Sequence, residues 1–331
     1  MYHLAFETSC DDTSIAVMFE DRVISLVTRS QIAEHEITQG VVPEVAARLH
    51  ANVVFDVLDE ALKIASIKLN DLEFISVTTE PGLVPSLLVG KTVAKTLAYS
   101  LDIPLISVHH IEGHIFANLL ERSVQDLTFP AVVLTVSGGH NELYHWKSLF
   151  EWELLGASRD DAAGEAFDKV AKVLGLGFPG GPHVQRLALE YSGQVGGEFL
   201  FPVPLLGETS LDFSFSGLKS AVKRVVDERT ENLILTQEDQ REICYEFERS
   251  VIEVLTIKLF RATKQLGVRS IMLAGGVSAN DALRANIAST AQAHNMVFTA
   301  PARKVYSMDN AAMIGVRAWY EYQRQNRSQA I

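Results

Sequence analysis

The stretch LAFETSCDDTSIAVMF, residues 4–19, decides the fold. Leu4 to Phe6 is apolar, Thr8 to Ser14 is small and polar, and Ile15 to Phe19 is apolar again, so the segment reads as strand, turn, strand. The plan returns in residues 131–146, AVVLTVSGGHNELYHW, with a turn at Ser137-Gly138-Gly139-His140 between Ala131 to Val136 and Leu143 to Trp146. Each hairpin opens a run of alternating strand and helix signals. After the first, apolar residues at 45, 49, 53, 54, 57, 58, 61, 62 and 65 repeat with helical spacing behind Pro43. A strand at Phe74 to Thr78, a helix to about Ser100, a strand at Ile103 to Val108 and a helix at Ile111 to Leu120 follow. After the second hairpin, Ala162 to Leu174 reads as helix. Thr236 and Asp239 open a long helix ending near Gly267, and Ser270 to Ala274 is a strand before a further helix. The predicted architecture is α/β with two similarly built halves. The polar stretch Glu121 to Thr128 is the predicted boundary, giving lobes 1–125 and 126–331.

Composition bounds the function. Of 331 residues, 47% are apolar and 21% charged, which excludes a disordered chain. Lys+Arg 29 against Asp+Glu 41 gives a net charge of −12, a poor basis for nonspecific nucleic-acid binding. A nucleic-acid substrate would need a local basic patch or a partner. Two cysteines, Cys10 and Cys244, exclude a disulfide framework and fit a reducing compartment. Neither a secretory or transit signal nor an apolar run of about 18 residues is visible, so the expected location is the cytoplasm, with no membrane partner.

Four features carry chemistry. His110 and His114 stand at i and i+4, on one face of a helix that directly follows a strand, a spacing that lets two imidazoles reach one metal ion. Glu112 lies at i+2, not at the i+1 position of a zinc-protease base, which counts against a peptidase. Asp309 is a candidate third ligand with helix N-cap as its plain alternative, and His109 is another candidate ligand. The turns Thr8 to Thr13, Thr135 to His140 and Gly275 to Asn280 present backbone N–H groups suited to phosphate. Asp160 to Lys169 and Leu211 to Lys219 are a charged helix start and an aromatic run whose Phe213 and Phe215 would either stack on bases or fill a core.

Glu7-Thr8-Ser9-Cys10-Asp11-Asp12-Thr13, Gly40 to Glu44, Pro81-Gly82-Leu83, His109 to His114, Val136 to His140, Asp160 to Lys169, Phe178 to Pro182, Leu211 to Lys219, Ala274 to Asn280 and Asp309-Asn310 together resemble the TsaD family of tRNA N6-adenosine threonylcarbamoyltransferases, in its bacterial form. The resemblance implies two duplicated lobes of the actin/Hsp70/sugar-kinase-like (ASKHA) type, with the start of the last helix returning to the interlobe cleft. It implies transfer of threonylcarbamoyl from threonylcarbamoyl-AMP to N6 of the adenosine at position 37 in tRNAs reading codons that begin with A. It implies His110, His114 and Asp309 as ligands of a divalent ion, iron first and zinc second. Thr135, Val136, Ser137, Gly138, Gly139, Asp168, Gly181 and Asn280 would hold the acyl-adenylate or ATP. The implied partners are tRNA, a TsaB-like paralogue, a TsaE-like ATPase and a synthase that supplies the adenylate. Asp11 is the expected catalytic group for the N6 proton, with turn capping as its plain alternative. Glu80, Lys91 and Lys95 depart from the family pattern, none at an implied ligand position. A metal-independent kinase of the same fold and a noncatalytic scaffold are the competing readings.

Overall fold

The computed structural model describes residues 1–193, 195–204 and 209–329. The chain folds as two compact units, residues 1–127 with 301–331, and residues 128–300.

The first unit begins with three strands, β1 (Tyr2–Glu7), β2 (Asp12–Phe19) and β3 (Arg22–Ser30), and then α1 (Ile32–Thr38) and α2 (Pro43–Ala65). Next come β4 (Leu72–Glu80), α3 (Val84–Leu101), β5 (Leu105–His109) and α4 (His110–Phe116). The strand order is β3-β2-β1-β4-β5. β1, β2 and β3 form an antiparallel meander, while β4 and β5 join parallel to β1.

The second unit repeats this plan. β6 (Ala131–Val136), β7 (Asn141–Ser148) and β8 (Glu151–Ala157) precede α5 (Ala163–Val173), α6 (Gly180–Glu190), α7 (Ser216–Asn232) and α8 (Gln237–Leu266). β9 (Ser270–Ala274), α9 (Asp281–Ala293) and β10 (Val297–Thr299) complete the unit. The order β10-β9-β6-β7-β8 is the first sheet's order read from the other edge, with the same antiparallel meander and the same parallel pair. The duplication legible in the two hairpins therefore extends to whole sheets, and the fold is of the ASKHA type.

The final helix, α10 (Ala311–Gln329), departs from the expected division. It was placed with residues 126–331, yet residues 301–331 group with the first unit. The physical reason lies on the first sheet's face. Phe74 of β4 stacks on His3 of β1 at 4.2 Å and on Tyr322 of α10 at 4.5 Å between ring centroids. Aromatic burial of this kind gives roughly 1.5–3 kcal/mol per side chain, so α10 completes a core that the sheet face otherwise leaves open. Among the described residues, no helix is long and apolar enough to cross a membrane.

Several elements go beyond the sequence expectations: β3, β8, α1, α6 and α7. The Gly/Pro-rich run at 177–182 is half loop and half helix start. Gly180 opens α6, whose first turn needs no internal N–H partners and so tolerates Pro182. Phe213 and Phe215 are fully buried, which assigns them to the core and not to base stacking.

Candidate functional site

In the first unit three side chains converge. α4 starts at His110, directly after β5, and its 3.6-residue period puts His114 one turn on, facing the same way. The two Nε2 atoms lie 3.1 Å apart. Asp309 Oδ1 is 3.1 Å from His114 Nε2 and 3.5 Å from His110 Nε2. Asp309 reaches them because α10 packs closely on α4: a Cβ on Gly113 would stand 2.8 Å from Ile314 Cδ1. The cap of α10 falls to the neighbouring residue, since Asn310 Oδ1 accepts the Met313 N–H at 3.0 Å. The alternative reading of Asp309 as this helix's N-cap is corrected accordingly. His109 is the N-cap residue of α4 and stands outside the converging set.

A second carboxylate stands behind the first histidine. Glu7, fully buried at the end of β1, places Oε2 3.1 Å from His110 Nδ1. Glu7 also accepts the Ser9 N–H at 2.5 Å and the Thr78 hydroxyl at 2.5 Å. In the neutral ring, as a metal ligand requires, Nδ1–H donates to Glu7 and the lone pair lies on Nε2, toward His114 and Asp309. Burial alone would lower the His110 pKa, but the carboxylates of Asp309 and Glu7 outweigh it and raise it to about 9. Burial also acts to raise Glu7, and the neighbouring His110 holds it below the usual carboxylate value. His114 is shifted down, first by burial. The site thus favours one positive charge.

Its donor set fits a divalent ion. The ligand atoms of His110, His114 and Asp309 all lie within 4.8 Å of one another, and His114 Nδ1 is buried with no hydrogen-bond partner. Two imidazole nitrogens and one carboxylate suit iron or zinc better than magnesium or calcium. Neither Glu7 nor Ser9 was singled out from the sequence; the available signal was a carboxylate ending an otherwise apolar strand. Gly82 belongs to the same support. Its φ is +156°, and a Cβ there would come within 2.7 Å of Ser9 O, the same carbonyl that accepts the Leu83 N–H at 2.7 Å. The Pro81-Gly82-Leu83 loop thereby braces the turn that carries Ser9.

Asp11 lies in the turn between β1 and β2, and burial raises its pKa, a direction that suits a proton acceptor. His50 of α2 fixes this turn by contacting Thr13 Oγ1 at 2.7 Å and Cys10 O at 2.9 Å.

In the second unit the expected nucleotide residues gather around the C-terminal ends of β6 and β9. Thr135 and Val136 end β6, and Ser137 to Gly139 form the hairpin tip. The start of α5 docks on that tip through Gly164 N–H to Ser137 O at 3.3 Å and Glu165 N–H to Gly138 O at 3.0 Å. Asp168 of α5 accepts the Gly180 N–H at 2.7 Å and so anchors the start of α6, next to Gly181. Substituent space is open at Gly138, Gly139 and Gly181. Asn280 caps α9 after the Gly275-Gly276 turn.

The basic residues are largely paired within the unit. Asp161 binds both Lys169 (2.7 Å) and Lys219 (3.2 Å), and Lys223 binds Asp227 (2.6 Å).

Comparison with known proteins decides what these sites belong to. The sequence model of the family described as TsaD, tRNA N6-adenosine threonylcarbamoyltransferase, matches residues 22–316. The chain belongs to the TsaD family. A curated relative from Staphylococcus aureus (strain Newman), named tRNA N6-adenosine threonylcarbamoyltransferase, is 45% identical over 97% of this chain and 92% of its own length. Among solved structures, HypF from T. kodakarensis matches with a TM-score of 0.62 at 15% identity, covering 98% of this chain and 48% of that one. Component A of the (R)-2-hydroxyglutaryl-CoA dehydratase of Acidaminococcus fermentans matches with a TM-score of 0.56 at 14% identity, covering 98% and 99%. These likenesses show the ASKHA fold alone. As a TsaD-family enzyme the chain is a transferase acting on tRNA, placing threonylcarbamoyl on N6 of adenosine.

Proposed function

We propose that the donor is threonylcarbamoyl-AMP and the acceptor is N6 of the adenosine at position 37 in tRNAs reading codons that begin with A. The observation that carries this is the convergence of His110, His114 and Asp309 in a chain of this family, since a kinase of the same fold has no use for such a set. The nucleotide of the donor belongs on the second unit, at Thr135 to Gly139, Asp168, Gly181 and Asn280. When bound at His110, His114 and Asp309, a divalent ion, with Fe2+ preferred to Zn2+, supplies a Lewis acid and an anchor for the threonyl group. The chain's own groups do the rest. N–H groups of the hairpin tip hold the donor's phosphate. The N6 nitrogen forms a bond to the carbamoyl carbon, the bond from that carbon to the phosphate oxygen breaks, AMP leaves, and Asp11 accepts the N6 proton. The donor is already activated, so no ATP need be split in this step. A TsaB-like paralogue and a TsaE-like ATPase complete the working assembly, and a separate synthase makes the adenylate.

Reconstitution with tRNA, threonine, bicarbonate, ATP and those partners, followed by mass spectrometry of tRNA nucleosides, tests this reading. Threonylcarbamoyl-adenosine is the expected product, and its absence would leave the donor and position unsupported. tRNA affinity gives a further prediction. Lys172 and Arg224 join Lys169, Lys219 and Lys223 as proposed phosphate contacts; the exposed Lys223–Asp227 pair is weak enough to yield to a polyanion, and the half-buried Lys169 and Lys219 would share theirs with Asp161. Reversing Lys219 and Lys223 to Glu is expected to flatten the plot of log affinity against log salt by about one unit per residue. An unchanged slope shows that these lysines face away from the RNA.

Glu7 gives another expected outcome. In Glu7→Gln an amide N–H can face His110 Nδ1 and favour the tautomer that protonates Nε2. Metal affinity, measured by chelator competition, is expected to fall about 10- to 100-fold. Wild-type affinity would show that the His110–Glu7 contact has no part in orienting the ring.

A further inference from the structure

We propose that Glu248 is a positioning residue for the transfer reaction: it holds the Asn280 side chain in the one orientation that leaves an N–H for the nucleotide. Asn280 is the N-cap of α9, and its Oδ1 accepts the Leu283 N–H at 2.8 Å. That backbone donor fixes which end of the amide is oxygen, because two N–H groups cannot face each other. Nδ2 is therefore turned to the other side, where one of its hydrogens goes to Glu248 Oε1 at 2.6 Å. Both side chains are buried, Glu248 at 5% exposure and Asn280 at 8%. With one lone pair of Oδ1 and one N–H engaged, the second N–H of Nδ2 is the donor this side chain has left for a ligand.

The sequence gives Glu248 no such role. It stands in α8, 32 residues before Asn280, within an ordinary helical stretch. Fold topology brings the two together, because α8 and α9 pack side by side. Burial pushes the Glu248 carboxyl up to about 7, so the uncharged acid is within reach near neutral pH, and its task is to accept a hydrogen bond rather than to supply charge. Glu248 also lines a groove of about 530 Å³ between α8 and α9, with Tyr245, Ile252, Ala282 and Asn286. Removing the carboxyl widens this groove and takes away the amide's fixed partner.

This inference rests on the proposed contact between Asn280 and the donor, and the test separates the two. Dissociation constants for AMP, from calorimetry, are measured on the full chain and compared with KM and kcat for threonylcarbamoyl-AMP in the reconstituted assembly. Asn280→Ala is expected to weaken AMP about tenfold, the scale of one hydrogen bond in a buried site. Glu248→Ala is expected to approach that loss, with KM raised and kcat held within about twofold. Glu248→Gln retains an acceptor oxygen and is expected to stay within about twofold of wild type. The double variant Glu248→Ala/Asn280→Ala is expected to be no weaker than Asn280→Ala alone, because the two act as one unit. Glu248→Leu fills the same volume without an acceptor and gives the same reading if the alanine variant is unstable. Wild-type AMP affinity in Glu248→Ala or Glu248→Leu, beside a weak Asn280→Ala, overturns the positioning role and leaves the donor contact standing. A full additional loss in the double variant, or a Glu248→Gln as weak as Glu248→Ala, also overturns it. If Asn280→Ala itself binds AMP normally, the donor contact fails and the role of Glu248 falls with it.

Discussion

His114→Ala protein is expected to purify folded, with little bound metal, and to give no measurable threonylcarbamoyl transfer. His114 faces both remaining ligands at 3.1 Å, so its loss leaves only one imidazole and one carboxylate, too few to fix an ion in a defined geometry. The ring is buried, and truncating it opens a cavity at the junction of α4 and α10, which costs about 2–4 kcal/mol of stability. Metal loss is thus to be read beside the melting temperature. His110→Ala is expected to behave alike, with one addition: it strands the buried Glu7 carboxylate without its imidazole partner, so its stability loss is the larger of the two. Elemental analysis showing a full complement of metal in either variant removes that histidine from the ligand set.

Asp309→Asn isolates the chemistry from the fold. The cap of α10 belongs to Asn310, so the exchange at 309 is expected to change stability by about 1 kcal/mol, the centre of the range for single substitutions. Asn keeps the shape and an acceptor oxygen but removes the anion. Metal affinity is expected to drop by more than about 100-fold, beyond what loss of a supporting partner costs, and transfer is expected to fall with it. The raised His110 pKa is expected to come down as well, since the Asp309 charge is one of the influences that hold it up. Titration of the His110 ring by NMR in the metal-free protein checks this shift. Retention of both metal and activity in Asp309→Asn would mean that the third ligand lies elsewhere.

What was legible in the sequence was what local pattern encodes. The two hairpins announced themselves by alternation around small polar turns, and His110 and His114 by helical spacing after a strand. The third ligand could be named as a candidate but not separated from a plain helix cap without the family resemblance, because nothing in residues 300–310 states which sheet the last helix will cover. That choice is made by His3, Phe74 and Tyr322, three aromatic side chains far apart in the chain that meet only after folding. Long-range partners hid Glu7 and Glu248: Glu7 ends an otherwise apolar strand, Glu248 is one of several carboxylates along α8, and the meaning of each lies in a residue 103 or 32 positions away. β3 was missed for another reason. Its burial alternates only partly, since one face and both ends are open, so its sequence carries a weak strand period.

The place of α10 has a consequence for biosynthesis. A ribosome delivers both histidines early, but Asp309 some 195 residues later than His114. Until then the nascent chain offers a pair of imidazoles and no anion to close the set. An ion held by all three side chains would therefore wait until residue 309 has emerged and α10 has docked.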